Sequence, residues 1–145
     1  MASVDDVDEL IERFHLATDE FLKGNPEPVQ NLFSHREDLT VASPYGPPVR
    51  GWEGVAEAEE YAASLRRDGD AIGFEIIAKY VTPELAYVVQ PERLQAKVGG
   101  REDIIPYSLR STMIFRPEED GEWKVVHQHA DTITTAQPAE SVIQQ

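Results

Sequence analysis

Apolar residues recur at helical spacing over the first stretch of the chain. In "SVDDVDELIERFHLATDEFLKGN", Val4, Val7, Leu10, Ile11, Phe14, Ala17 and Phe21 fall on one stripe. Ser3, followed three residues later by Asp6, forms an imperfect capping box, and acids crowd the first turn where the helix dipole favours them. Gly24-Asn25-Pro26 stops this helix. A short second helix is predicted through "PVQNLFS", since Val29, Leu32 and Phe33 again share a side. A third runs from Trp52 to Arg67, with Val55, Ala58, Ala62 and Leu65 facing one way and glutamates the other.

Between the second and third helices "LTVAS" reads as a short strand. The prolines and glycines of "PYGPPVRG" then forbid regular structure. After Asp70 the pattern turns to β: "AIGFEIIAKYV", "ELAYVVQ", "LQAKV", "IIPYSLRSTMIFR" and "EWKVVHQHADTIT", with turns at "TPE", "GGRED" and "PEEDGE". Helices first and a meander afterwards predict an α+β fold, with the helices packed on one side of a curved antiparallel sheet. The concave face of such a sheet can enclose a ligand. One domain over residues 1–135 accounts for the pattern, and "AQPAESVIQQ" reads as a flexible tail over 136–145.

Composition narrows the function classes. The chain has no cysteine, hence no disulfide, thiolate ligand or thiol nucleophile. Its net charge of -14 repels a phosphate backbone, and the densest basic spot, "LRRDGD", is followed at once by acids, so nucleic acid is not an expected partner. Scarce lysine and abundant acid also suit a salty medium. No apolar run reaches the roughly 20 residues of a membrane span, and the acidic start "MASVDDVDEL" is unlike a signal peptide. A cytoplasmic setting is the expectation. Glycine-rich phosphate loops, nucleotide fingerprints, nucleophile elbows and H-E-x-x-H motifs do not occur, so no cofactor is expected.

The segment "WKVVHQHADT" holds the most conspicuous candidate chemistry. His127, His129 and Asp131 alternate, so on a regular strand they share one face, with successive side chains about 6.5–7 Å apart. Asp131 could orient an imidazole acting as general acid or base. Two histidines could also lean together on a metal, but the next carboxylate is Glu140 and only His15 and His35 remain elsewhere; no metal site is expected. The bland alternative has one histidine bonding its strand neighbours and Asp131 solvated at the strand end. Strict alternation would place Trp123 and Val125 with the histidines, and Val126, Gln128 and Ala130 opposite. That double-sided pattern fits a strand covered by helices on one side and by a second copy of the chain on the other, so a homodimer is expected.

On the preceding strand Tyr107, Leu109, Ser111, Met113 and Phe115 form the more apolar row and read as core or pocket lining. Arg110 falls on the other face, where a structural ion pair is the simplest role; a bulge near Pro106 would instead bring it inward. Tyr45 and Trp52 flank the proline-glycine turn, Tyr45 as a pocket rim and Trp52 mainly as a packing anchor. His15 sits one position off the first helical stripe, within reach of a pocket.

The element order, "SPYGPPVRGWEGVAEA" and the ending "DGEWKVVHQHAD" resemble the nuclear-transport-factor-2-like superfamily, and within it the SnoaL-like branch, from Leu10 to Thr132. The resemblance implies a cone-shaped sheet with three helices on its concave side, frequent dimers and a ligand in the cone. Steroid isomerases of this fold carry an aspartate base just before the turn proline, where this chain has Ser43. Their helix-one tyrosine falls near Ala17, with His15 the closest polar side chain, and the acid of their late strand has no counterpart in "YSLRSTMIF". That chemistry is therefore not carried over unchanged.

The combined expectation is a protein that holds a small hydrophobic or mildly polar molecule. Its reaction would be a cofactor-free isomerisation, cyclisation, dehydration or hydrolysis. His127 or His129 would carry the proton, Asp131 would orient it, and His15, Tyr45, Trp52, Tyr107, Arg110 and Met113 would line the pocket. The alternative is a non-catalytic ligand-binding or dimeric assembly module of the same fold.

Overall fold

A computed structural model of the chain describes residues 4–143. Ser3, the expected helix cap, lies outside them. Helix α1 spans Val4–Phe21, α2 Glu27–Gln30 and α3 Trp52–Ser64. Seven strands follow the interrupted order β1 (Thr40–Ala42), β2 (Val49–Arg50), β3 (Arg66–Phe74), β4 (Ala78–Val81), β5 (Ala86–Val98), β6 (Ile105–Pro117) and β7 (Trp123–Asp131). They form one curved sheet ordered β2-β1-β7-β6-β5-β3, with β4 also pairing β5. Pairing is antiparallel except between β1 and β7, which run parallel. The helices close the concave side, as the order of helical and β patterns predicts.

Helix α1 buries Val7, Leu10, Ile11, Phe14 and Ala17, the predicted stripe, while Val4 at its start is half-exposed. These residues pack against Val88, Met113, Phe115, Trp123 and Val125 in the main core. A second, smaller cluster joins Leu22, Leu94 and Ala96 with Tyr107 and Leu109 at the other end of the sheet. Between the two clusters the inward row turns polar: Gln90 and Glu92 on β5 and Ser111 on β6 are all buried.

Three local departures from the sequence pattern position that polar strip. First, β5 runs unbroken through Pro91, so "QPER" is strand rather than turn and Glu92 continues the inward row of Ala86, Val88, Gln90, Leu94 and Ala96. Second, α3 ends at Ser64 and "RRDGD" opens β3 rather than prolonging the helix. The register of β3 against β5 shifts between Arg67 and Asp70, where Asp68 takes a left-handed φ of 56° and Gly69 approaches the β5 backbone. A Cβ on Gly69 would lie 2.4 Å from the Gln95 carbonyl oxygen, which only glycine avoids. Third, β7 carries a bulge: Ile114 pairs with His127 and Phe115 with Val125, leaving Val126 as the extra residue. Trp123 and Val125 before the bulge, and Ala130 after it, are therefore all buried, whereas strict alternation would separate them.

The tail holds a short 3-10 turn at Ala139–Val142, and its described residues are exposed.

Candidate functional site

The polar strip opens into a cavity of about 120 Å³ between α1, α3 and the sheet. Phe14, Phe21, Leu22, Val29, Val41, Leu94 and Leu109 supply most of its wall. Into this apolar surface project Glu59 from α3, Arg66 from the start of β3, Glu92 from β5, Tyr107 from β6 and Tyr45 from the loop after β1.

Glu59 and Glu92 are 7% and 3% exposed, and neither makes an ion pair among the described residues. Glu59 Oε1 and Glu92 Oε2 have no hydrogen-bond partner there. Burial pushes the Glu59 carboxyl up to about 8, and the charge of Glu60 adds to the shift. Burial likewise raises Glu92 to about 7, with Ser111 and Gln90 close enough to oppose it. Even so, Ser111 Oγ and Gln90 Nε2 lack hydrogen bonds of normal geometry, so Glu92 is only weakly held. At neutral pH Glu59 is thus mainly a neutral acid, while Glu92 is poised between acid and base. Leaving carboxyls buried and unpaired costs stability.

Arg66 is itself buried and donates from Nε to the Tyr107 hydroxyl at 2.8 Å and from Nη1 to the Ala62 carbonyl at 3.4 Å. Its Cζ lies 5.3 Å from the Tyr107 ring centroid and 5.5 Å from that of Tyr45, within cation–π range. Since the Tyr107 oxygen accepts from Arg66, the phenol proton is free to be donated elsewhere. Burial raises the Tyr107 pKa, so the phenol keeps that proton. Tyr45 is half-exposed and meets Tyr61 edge-on, which places it at the cavity rim.

Of the residues singled out from sequence, Tyr45 and Tyr107 line this cavity. The bulge places the others of β7 elsewhere: Gln128 and Ala130 face the cavity, and His127, His129 and Asp131 lie on the opposite, outer face of the sheet. There Asp131 receives Arg110 through two bonds of 3.0 and 2.7 Å, and His129 Nε2 lies 3.0 Å from Asp131 Oδ2. The aspartate–histidine contact expected from the spacing exists, but in solvent. Arg110 makes the structural ion pair, outside the cavity. His127 Nδ1 meets Thr40 Oγ1 at 2.8 Å, and burial, helped by His129, pulls its pKa down.

Met113 is fully buried in the main core, away from the cavity wall. Trp52 stacks on His35 with centroids 3.8 Å apart and packs against the core, a packing anchor rather than a lining residue. His15 stacks on Phe74 and meets Gln90 Oε1 at 3.0 Å, so it touches the buried polar strip without lining the cavity. Ser43, at the place of the isomerase base, does line the cavity. No group of three or more His, Asp or Glu side chains among the described residues has metal-binding geometry.

Glu59, Glu92 and Arg66 were not candidates from sequence. Glu92 was recoverable from the alternation 86, 88, 90, 92, 94, 96, had Pro91 not suggested a break. Glu59 sits one turn after Val55 and one before Ala63, both buried, but "EAEEYAAS" reads as a solvated glutamate face. Arg66 was hidden in a charge run.

The sequence matches the SnoaL-like domain model over residues 7–134. The chain belongs to the SnoaL-like domain family. Its fold is shared by solved structures at low identity. An NTF2-like superfamily protein from Salmonella enterica serovar Typhimurium superposes with a TM-score of 0.76 at 17% identity, covering 94% of both chains. A ketosteroid isomerase-like protein from Erwinia carotovora atroseptica gives 0.74 at 14% identity, over 91% of this chain and 97% of that one. An NTF2-like protein of unknown function from Pseudomonas putida gives 0.69 at 17%, over 94% and 89%. No curated protein matches this SnoaL-like chain significantly. The steroid isomerase carboxylates have no counterparts at their expected places, yet this SnoaL-like cavity has two of its own, brought in from α3 and β5. No helix among the described residues is long and apolar enough to cross a membrane.

Proposed function

We propose that this SnoaL-like protein binds a small, mainly apolar molecule in the cavity and moves a proton on carbon next to a carbonyl group, as in an isomerisation or dehydration. The observation that carries this reading is the pair of buried carboxyls, Glu59 and Glu92, in one apolar cavity, each with an unpartnered oxygen and neither in an ion pair. Ionised Glu92 takes the proton: the C–H bond breaks, a carboxyl O–H forms, and the electron pair moves to the carbonyl oxygen. Neutral Glu59, or the phenol of Tyr107, donates a hydrogen bond to the enolate oxygen. Return of the proton at a different carbon completes an isomerisation. In a dehydration the enolate electron pair returns to form the C=C bond as the β C–O bond breaks, and the proton held by Glu92 leaves with the hydroxyl as water. The apolar wall excludes water and strengthens each of these contacts.

The test is deuterium incorporation from heavy water into a panel of small cyclic ketones, enones and β-hydroxy ketones. Wild-type protein should accelerate exchange into at least one compound, and Glu92→Gln should remove that acceleration by about a hundredfold or more. Exchange equal in wild type and in both the Glu92→Gln and Glu59→Gln variants contradicts the proposal.

The expected homodimer belongs to the same reading. Tyr80 and Tyr87 are exposed on the outer sheet face with ring centroids 6.0 Å apart, near exposed Ile77, and a second copy of the chain would cover them. Light scattering after size exclusion should then give twice the chain mass of 16.3 kDa, and a mass of one chain would contradict it.

A further inference from the structure

The chain carries 27 acidic residues against 13 basic ones, so a carboxylate is within easy reach of most cations on its surface. Arg36, Arg67, Arg101, Arg110 and Arg116 each have one within 4.0 Å. Arg66, only 7% exposed, has none among the described residues. Its acceptors are neutral: the Tyr107 hydroxyl and the Ala62 carbonyl use two of the five N–H donors of a guanidinium, and the Tyr45 hydroxyl lies close enough to add to them. A guanidinium rarely stays buried without a counter-charge, and its planar fork matches a carboxylate in two-point contact. The two carboxyls of the same cavity do not supply that charge, since neither lies within ion-pair distance.

We infer that the missing counter-charge comes from the ligand, so that the cavity takes a small monocarboxylate whose anionic end seats on Arg66 between the Tyr45 and Tyr107 rings. This rests on the cavity being the ligand site proposed above and names the class of ligand it takes. A void of about 120 Å³ is close to the size that holds a single six-membered ring, so the body of the ligand is a small ring or branched chain. Its ring meets Phe14, Phe21 and Leu94, and its head meets the cation. A reacting ligand of this class carries a carbonyl next to its labile C–H as well as the carboxylate, which makes the substrate class a small oxo acid. The net negative charge of the protein slows approach of any anion, but at ordinary salt that repulsion is screened beyond about 8–10 Å, whereas the Arg66 contact is not.

Isothermal titration with sodium benzoate and with benzamide, its neutral analogue of nearly the same shape, tests the inference. Wild-type protein should bind benzoate at least about tenfold tighter than benzamide. Arg66→Gln should erase that preference, and Arg66→Lys, which keeps the charge without the fork and guards against a merely unfolded variant, should bind benzoate more weakly while still preferring it. Equal affinity for the two compounds in wild type, no benzoate binding up to about 20 mM, or an undiminished preference in folded Arg66→Gln would each overturn the inference. Deuterium exchange into neutral ketones without any benzoate preference removes this inference and leaves the acid–base proposal standing. Benzoate preference without exchange into any carbonyl compound does the reverse.

Discussion

The Nε–H of Arg66 is donated to the hydroxyl of Tyr107 at 2.8 Å, joining the first residue of β3 to the inward row of β6 across the floor of the cavity. The contact fixes a buried cation and leaves the phenol proton free. Removing either partner strands the other. Tyr107→Phe and Arg66→Met should each destabilise the fold by about 1–3 kcal/mol. The double variant should lose less than the sum, with a coupling on the order of 1 kcal/mol read from denaturant unfolding. Strict additivity would mean that the two side chains do not act as a unit.

Stability should fall between pH 5 and pH 8 because of Glu59 and Glu92. Their folded-state pKa values, about 8 and about 7, exceed the ordinary value of 4.5. Below pH 4.5 both states are protonated and the burial carries no charge penalty. Between pH 4.5 and the folded values the unfolded carboxyls ionise while the folded ones stay protonated, so stability is lost over that interval and levels off above about 7 for Glu92 and about 8 for Glu59. For Glu92 the penalty is on the order of 3 kcal/mol. His127, whose pKa is lowered, acts in the opposite sense below about pH 6.5, so each variant is compared with wild type at the same pH. Asp38 and Asp131, both lowered by arginine partners, titrate below this window. Glu92→Gln and Glu59→Gln should therefore be more stable than wild type at pH 8 and lose the gain at pH 5. A constant difference at both pH values would show that these carboxyls titrate normally.

The outer-face histidines should be dispensable for cavity chemistry. Alanine at His127 and His129 should leave deuterium exchange and benzoate binding unchanged, because the β7 bulge turns both away from the cavity. Asp131→Ala should cost less than about 1 kcal/mol, since the Arg110–Asp131 pair is solvated and its gain is small. A loss of exchange in the double histidine variant would return these side chains to the reaction.

Gly69→Ala tests how closely β3 must approach β5 to set Arg66 in place. The added Cβ meets backbone and the Ala96 Cβ rather than a flexible side chain, so the strand has to move. A loss of about 1–3 kcal/mol is expected, together with weaker benzoate binding. An unchanged unfolding midpoint would mean that the bulge is softer than its contacts imply.

Helix α1 was legible because it carries an apolar stripe at helical spacing, and the inward row of β6 because its alternation is uninterrupted from Tyr107 to Phe115. Helix α2 stops at Gln30, before Leu32 and Phe33, and α3 buries Val55, Glu59 and Ala63 rather than the expected row of Val55, Ala58, Ala62 and Leu65. The site was harder to read for physical reasons. Its polar lining consists of residues in inward positions, which a search for apolar periodicity passes over: Glu92 behind Pro91, Glu59 among exposed glutamates, and Arg66 in a charge run. Which face of β7 lines the cavity was not legible either. One bulged residue, Val126, turns His127, His129 and Asp131 outward, and nothing in the local composition announces it. A period of two carries no memory of a bulge, so every side chain beyond it exchanges faces.

Proton transfer in the cavity requires that Glu59 and Glu92 be held partly protonated near neutral pH. Carbon-13 NMR titration of the glutamate side-chain carboxyls, assigned through the Glu59→Gln and Glu92→Gln variants, reads this without knowledge of a substrate. Midpoints of about 8 for Glu59 and about 7 for Glu92 are expected. Midpoints near 4.5 for both would mean ordinary carboxylates and would contradict the proposed proton transfer.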